Sequence, residues 1–155
     1  MLPFYASFAE RFHDLHEQIQ NDLNALPPEA LDWKAGPEMN SISVIIVHLT
    51  GSERFLIGDV VMQDPSDRNR DAEFQVSGMS KASLVKRLND TEAYIKSAFE
   101  KLSLDDLGTE RMHPRHGTMV RVDWALLHAL EHTATHLGHI NMTVQLWHQR
   151  NVGED

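Results

Sequence analysis

The sequence predicts an all-α protein, a four-helix bundle with long connecting loops, formed by a single domain of residues 1–155. Four stretches of about twenty to twenty-five residues repeat apolar side chains at intervals of three and four, the period of an amphipathic helix. Alternating apolar and polar residues, the pattern of a strand, are weak throughout. With 155 residues, of which 41% are hydrophobic and 24% charged, the chain can form a substantial core.

The first two helices are predicted in the amino-terminal half. The first spans about Pro3 to Leu26, and the prolines at positions 27 and 28 end it. The second begins after an N-cap at Asn40 or Ser41 and reaches about Met62. Its β-branched residues would also suit a strand, but the apolar pattern persists for about twenty residues, which is too long for an ordinary strand.

The last two helices are predicted on either side of a long polar segment. The third begins after Ser80 and ends near Leu102, and the fourth begins after Asp123, as its N-cap, and ends near Gln149. We expect loops at residues 64–78 and 103–122, where proline, glycine and charged residues accumulate. Loops of this length often line functional sites.

Charge and composition exclude several classes of function. The formal net charge of −9 disfavours nucleic acid and anionic membranes as partners, since both are bound by clustered Lys and Arg. The amino terminus lacks the pattern of a signal peptide, and no apolar run is long enough to span a bilayer, so we expect a cytoplasmic protein. Without cysteine, the chain supplies no thiolate nucleophile and no thiolate metal ligand.

Histidines recur along one face of the fourth helix. His128, His132 and His136 are four residues apart, and His139 follows three residues later. Four residues advance a helix by slightly more than one turn, so imidazoles at this spacing can reach the same metal ion. Surface helices also carry histidines by chance, but apolar residues near this face indicate that it points towards the core. Residue 133 is Thr rather than Glu, which disfavours an HExxH metalloprotease.

A third ligand is expected from the second helix, where His48 lies within an apolar stretch. Gly51 and Ser52, one turn later, would leave room beside the imidazole. Taken alone, His48 would more often be a core histidine bonded to a neighbouring helix, but the histidines of the fourth helix favour a ligand. A metal-bound imidazole usually donates its second ring N–H to a partner. The sequence leaves several partners open, namely Glu131, Glu53, Asp59 and backbone carbonyls, with His128 as a partner or an alternative ligand.

Two segments resemble the signatures of the DinB/YfiT-like metalloenzyme superfamily (the damage-inducible helical protein, not the polymerase of that name). One runs from Asn40 to Leu49 as NSISVIIVHL, and the other from Leu127 to Gly138 as LHALEHTATHLG. The resemblance covers nearly the whole chain and implies a four-helix bundle that binds a divalent metal ion through His48, His132 and His136. It also implies frequent homodimers. One departure is His139, where relatives often carry Gln after the last glycine.

Three functional hypotheses follow. Some members of the superfamily are S-transferases that use bacillithiol, mycothiol or glutathione, which suggests a metal-dependent transferase acting on a small electrophile. Zn or Ni is then the first choice of metal, with Fe, Mn, Co or Cu as alternatives. The arginines at positions 111, 115 and 121 could bind a carboxylate of the thiol, although they also suit a solvated surface, and His113 and His116 could cover the site. The alternatives are a hydrolase of a small amide or ester, with Glu53 or Glu131 as base, and a non-enzymatic stress-response protein that binds metal.

Overall fold

Four long helices form the bundle in a computed structural model, which describes residues 1–150. They are α1, α2, α4 and α5, and a single-turn helix α3 precedes α4. The two carboxyl-terminal long helices each pack against both of the amino-terminal ones, so α1 and α2 lie on one diagonal of the bundle and α4 and α5 on the other. The predicted four-helix bundle is confirmed. The bounds are α1 Pro3–Ala25, α2 Ile42–Glu53, α3 Arg70–Glu73, α4 Lys81–Phe99 and α5 Val122–Gln149.

The second helix changes its hydrogen-bond pattern halfway along. Ser41 is its N-cap, and its side chain accepts a bond from Val44 N at 3.3 Å. The α-helical part is buried on all sides and continues directly as a π-helical segment, Arg54–Met62. The predicted end near Met62 is therefore confirmed. The last part of the helix is π-helical, however, and apolar periodicity does not distinguish a π-helix from an α-helix. Wide helical turns of this kind occur frequently at functional sites.

A buried polar layer divides the core into two apolar clusters. One cluster surrounds Ile46 and the other surrounds Phe99. Between them, His16 of α1, Glu53 of α2 and Thr133 of α5 are fully buried. On its own helix, each of these residues lies between a member of one apolar cluster and a member of the other. The polar layer therefore crosses the bundle at one level. Within residues 1–150, no helix is long and apolar enough to cross a membrane.

The two segments predicted as loops contain short regular elements. The first includes α3, which is capped by Asn69 through a bond from Ala72 N to its side chain at 3.1 Å. The second includes a 3-10 turn at residues 105–108 and an antiparallel hairpin of β1, Glu110–His113, and β2, Thr118–Arg121. The hairpin leads straight into α5, so Arg121 occupies the N-cap position. The prediction of Asp123 as the cap is wrong, because Asp123 lies in the first turn and accepts a bond from Trp124 N.

Candidate metal centre

The bundle brings together the three histidines that the sequence singles out. α2 carries His48, and α5 carries His132 and His136 one turn apart. One ring nitrogen of each lies within 4.8 Å of the other two. The Nε2 atoms of His132 and His136 are 3.2 Å apart. Two nitrogens bound tetrahedrally to one Zn²⁺ would be separated by roughly 3.3 Å, so this pair has the spacing of metal ligands.

The electrostatics of the pair favour neutral imidazoles, the form that binds metal. Burial, followed by the nearby His136 and His48, lowers the pKa of His132 to about 3. Burial, followed by His48 and His139, lowers the pKa of His136 to about 4. Both rings therefore present free nitrogen lone pairs at neutral pH, and the donor set fits a divalent cation such as Zn²⁺ or Ni²⁺.

Glu73 orients the third imidazole. Its Oε2 lies 2.8 Å from His48 Nδ1, and Arg68 donates to both carboxylate oxygens, at 2.6 and 2.9 Å. Burial raises the pKa of Glu73, but the bonds from His48 and Arg68 outweigh it, so the pKa is lowered overall. An ionised Glu73 holds the proton of His48 on Nδ1 and leaves Nε2 free for an ion. Gly51 makes this approach possible, because a Cβ at position 51 would overlap Glu73 Oε1.

The sequence missed Glu73, and none of the carboxylates that it nominated contacts the three histidines. Glu53 lies in the buried polar layer, 3.0 Å from His16 Nε2, and accepts a bond of 2.6 Å from Thr133. Asp59 pairs with Arg54, and the side chain of Glu131 is 78% exposed. The signal that could have found Glu73 is the helix-capping pattern of Asn69 and the acidic residues after it, within a segment otherwise typical of a loop.

The remaining helix histidines have distinct surroundings. His139 Nδ1 lies 3.3 Å from His136 Nδ1, so His139 is the neighbour of the second ring nitrogen of His136. His128 stacks on Trp124, with ring centroids 5.0 Å apart and planes at 20°. His132 Nδ1 is buried and has no hydrogen-bond partner within residues 1–150.

An inner cavity of about 230 Å³ opens above two of the three histidines. Its floor contains His48 and His132, and its walls come from α2, the π-helical segment, both connecting segments and the start of α5. Both long connections therefore line the site, as expected. The lining residues are His48, Ser52, Phe55, Leu56, Arg68, Arg70, His113, Arg115, His116, Trp124, His128 and His132.

The hairpin supplies one wall of the inner cavity. His113 packs edge-on against Phe55, at a centroid distance of 5.2 Å, and lies 4.5 Å from the ring of His116. Burial, followed by the charge of His116, lowers the pKa of His113, and its buried Nδ1 has no partner within residues 1–150. Of the three arginines that the sequence nominated, only Arg115 lines this cavity. Those at positions 111 and 121 pair with Asp106 and Asp123.

Comparison with known proteins identifies the family and the fold. A family model described as "Protein of unknown function (DUF1572)" matches residues 2–152. No curated protein matches the chain. A conserved protein from Enterococcus faecalis is similar in structure, with a TM-score of 0.79 and 14% identity over 94% of this chain and 98% of that one.

Two further solved structures share the fold. YfiT from Bacillus subtilis, described as a probable metal-dependent hydrolase with an unusual four-helix bundle topology, has a TM-score of 0.72 and 12% identity over 100% of this chain and 91% of its own. A mycothiol-dependent maleylpyruvate isomerase has a TM-score of 0.66 and 16% identity over 88% of this chain and 60% of its own. The predicted relationship is thereby confirmed: the chain belongs to the DUF1572 family, and its fold is that of the DinB/YfiT-like superfamily.

Proposed function

We propose that the protein is a metal-dependent enzyme in which His48, His132 and His136 hold one divalent cation and a low-molecular-weight thiol reacts with a small electrophile. The observation that carries this proposal is the convergence of three imidazoles, two of which, His48 and His132, lie at the floor of an open cavity. Three protein ligands leave a coordination position free, which is the arrangement of catalytic rather than structural sites. When bound, the cation supplies Lewis acidity that favours the thiolate form of a thiol.

The residues of the chain itself would hold the cation, orient its ligands and accept the proton of the thiol. Glu73 fixes the ring of His48, and Arg68 fixes Glu73. In the reaction, the thiol sulfur forms a bond to an electrophilic carbon, and the leaving group departs with the electron pair of the broken bond. The thiol proton passes to the imidazole of His113, whose ring lines the cavity.

One observation favours a thiol reaction over the alternative, hydrolysis. Glu53 and Glu131, the nominated bases for a metal-bound water, do not line the inner cavity, and no other carboxylate of residues 1–150 lines it either. The absence of cysteine is compatible with either reaction and means only that a reacting thiol would come from solution. The likeness to a mycothiol-dependent isomerase supports the same choice at the level of fold.

A hydrolase is the second candidate because His113 could serve as its base. Its pKa is lowered, first by burial, so the ring is neutral and able to take a proton from water. The likeness to YfiT, described as a probable metal-dependent hydrolase, supports this candidate at the level of fold.

The first experiment is elemental analysis of protein purified without chelator. We expect one equivalent of a divalent metal in the wild type and loss of that metal in His48→Ala and His132→Ala. The matched control is His148→Ala, which removes an exposed histidine from the same helix as His132. Absence of stoichiometric metal, both as purified and after titration, would refute the three-histidine centre.

The second experiment separates the reactions. Metal-loaded protein is mixed with bacillithiol, mycothiol or glutathione and a model electrophile, and in parallel with an ester and amide panel without thiol. Thiol-dependent consumption of the electrophile supports the transferase, and thiol-independent cleavage supports the hydrolase. If neither reaction exceeds that of metal-free protein, the non-enzymatic metal-binding role is favoured. The expected homodimer is tested on the same samples by light scattering.

A further inference from the structure

The inner cavity is cationic in an acidic protein. The chain has 23 Asp and Glu against 14 Lys and Arg, yet none of the carboxylates in the described range 1–150 lines this cavity. Three arginines line it, namely Arg68, Arg70 and Arg115. This excess of arginine over carboxylate indicates that the cavity accepts an anion.

Two of the arginines have no compensating partner. Arg68 is neutralised by its paired bonds to Glu73. The guanidinium groups of Arg70 and Arg115 form no ion pair or side-chain hydrogen bond with any other residue in the range 1–150, although Arg70 lies 4.9 Å from the ring centroid of Phe74. Both side chains are exposed, so they are free to bind a solute.

These two arginines also lie at the entrance. An outer cavity of about 640 Å³ shares Phe55, Arg68, Arg70 and Arg115 with the inner one. Three carboxylates also line the outer cavity, those of Asp67, Asp71 and Asp59, the last of which pairs with Arg54. A molecule that passes from the outer cavity towards the histidines therefore meets both free guanidinium groups. The two unpaired guanidinium groups would repel each other and would also repel a divalent cation bound by the three histidines. A bound anion would reduce both repulsions.

We propose that Arg70 and Arg115 bind a carboxylate of the molecule that reacts at the metal centre, and that Phe55 and Trp124 contact its organic body. The inference rests on the proposed function, because it assigns the substrate class of the same site. A planar guanidinium binds a carboxylate through two parallel hydrogen bonds, which makes arginine suited to this group. The two aromatic walls favour an organic acid over an inorganic anion.

Calorimetric titration with benzoate and with benzamide, its uncharged analogue, tests the inference on metal-loaded and metal-free protein. We expect benzoate to bind at least roughly tenfold more tightly than benzamide, since charge-assisted hydrogen bonds are lost in the amide. Arg70→Gln and Arg115→Gln should each weaken benzoate binding roughly tenfold and leave benzamide unchanged. Arg11→Gln, which removes the same charge from an exposed position on α1, should change neither.

Several results would overturn the inference. Equal affinity for the two probes, or unchanged benzoate affinity in the double arginine variant, excludes recognition by these arginines. If removing the metal is sufficient to abolish benzoate binding while the two arginines are intact, the carboxylate binds the metal rather than the arginines. Displacement of benzoate by equimolar inorganic phosphate would exclude selection of an organic acid.

The same titration separates this inference from the proposed function. If the protein holds no metal but still prefers benzoate through the two arginines, the metal-dependent function fails and the carboxylate site stands. If metal is bound and the preference is absent, the metal centre stands and the substrate class is wrong.

Discussion

Replacing Glu73 by Gln tests whether one buried carboxylate controls the affinity of the proposed three-histidine centre for a divalent cation. Glu73 is 5% exposed and contacts His48 Nδ1 at 2.8 Å. The amide of Gln keeps the shape and can still accept a bond from His48, but it removes the negative charge. It also turns an amide N–H towards Arg68, which itself only donates.

The expected loss follows from that contact. A hydrogen bond to a charged group contributes about 1.5–3 kcal/mol, which corresponds to a factor of roughly 10 to 100 in a binding constant. Removing the partner of a metal-bound histidine typically lowers metal affinity by the same factor. We therefore expect Glu73→Gln to weaken metal binding about 10- to 100-fold, while circular dichroism shows an intact helical fold.

The assay is competition for Zn²⁺ against a chromophoric chelator at fixed pH. Asp71→Asn is the matched control, because it removes the same charge from an exposed position on the same short helix, α3. Gly51→Ala provides an independent test: its methyl group would displace the Glu73 carboxylate without removing it, so affinity should fall in that variant too. If Glu73→Gln binds metal within about threefold of wild type, the carboxylate does not govern the site and the reasoning is refuted.

Two further predictions concern stability. Glu53→Ala should lower the free energy of unfolding by about 3–5 kcal/mol, because it leaves the fully buried His16 and Thr133 without their partner. Urea denaturation measures the loss, exposed Glu131→Ala is the control, and a change below about 1 kcal/mol contradicts the prediction. Protonation of His132 opposes folding, because burial, followed by nearby histidines, lowers its folded pKa from 6.5 to about 3. Metal-free protein should therefore be stable above pH 6.5 and lose stability as the pH falls towards 3, and an equally steep loss in His132→Ala would contradict this assignment.

The helices were predictable because their signals are local. Apolar periodicity and the side-chain caps at Ser41 and Ser80 depend on residues a few positions apart, and the structure confirms both caps. The π-helical continuation of α2 was not predictable, because its apolar side chains recur at nearly the same intervals as in an α-helix. The hairpin before α5 was missed for a similar reason, since its two strands of four residues are too short to establish an alternating pattern.

The candidate site was predictable only in part. His132 and His136 are neighbours by helical geometry, whereas the position of His48 beside them depends on how α2 packs against α5. Glu73 and Arg70 belong to a segment with the composition of a loop. No pattern of neighbouring residues indicates that this segment folds back over α2. Glu53, which is close to His48 in sequence, was nominated as a partner of the histidines. Its side chain instead points into the buried polar layer.

The separation of charge between surface and cavity has a kinetic consequence. The chain carries a net charge of −9, and carboxylates line the outer cavity beside the two unpaired arginines, so an anionic molecule approaches against a repulsive long-range field. Attraction by the entrance arginines acts only within about one Debye length, roughly 8 Å at physiological ionic strength. Moderate salt should therefore speed association by screening the long-range repulsion and also speed dissociation by weakening the short-range contacts. Such a protein would exchange anionic ligands rapidly at cellular salt, and would admit them most slowly in dilute buffer.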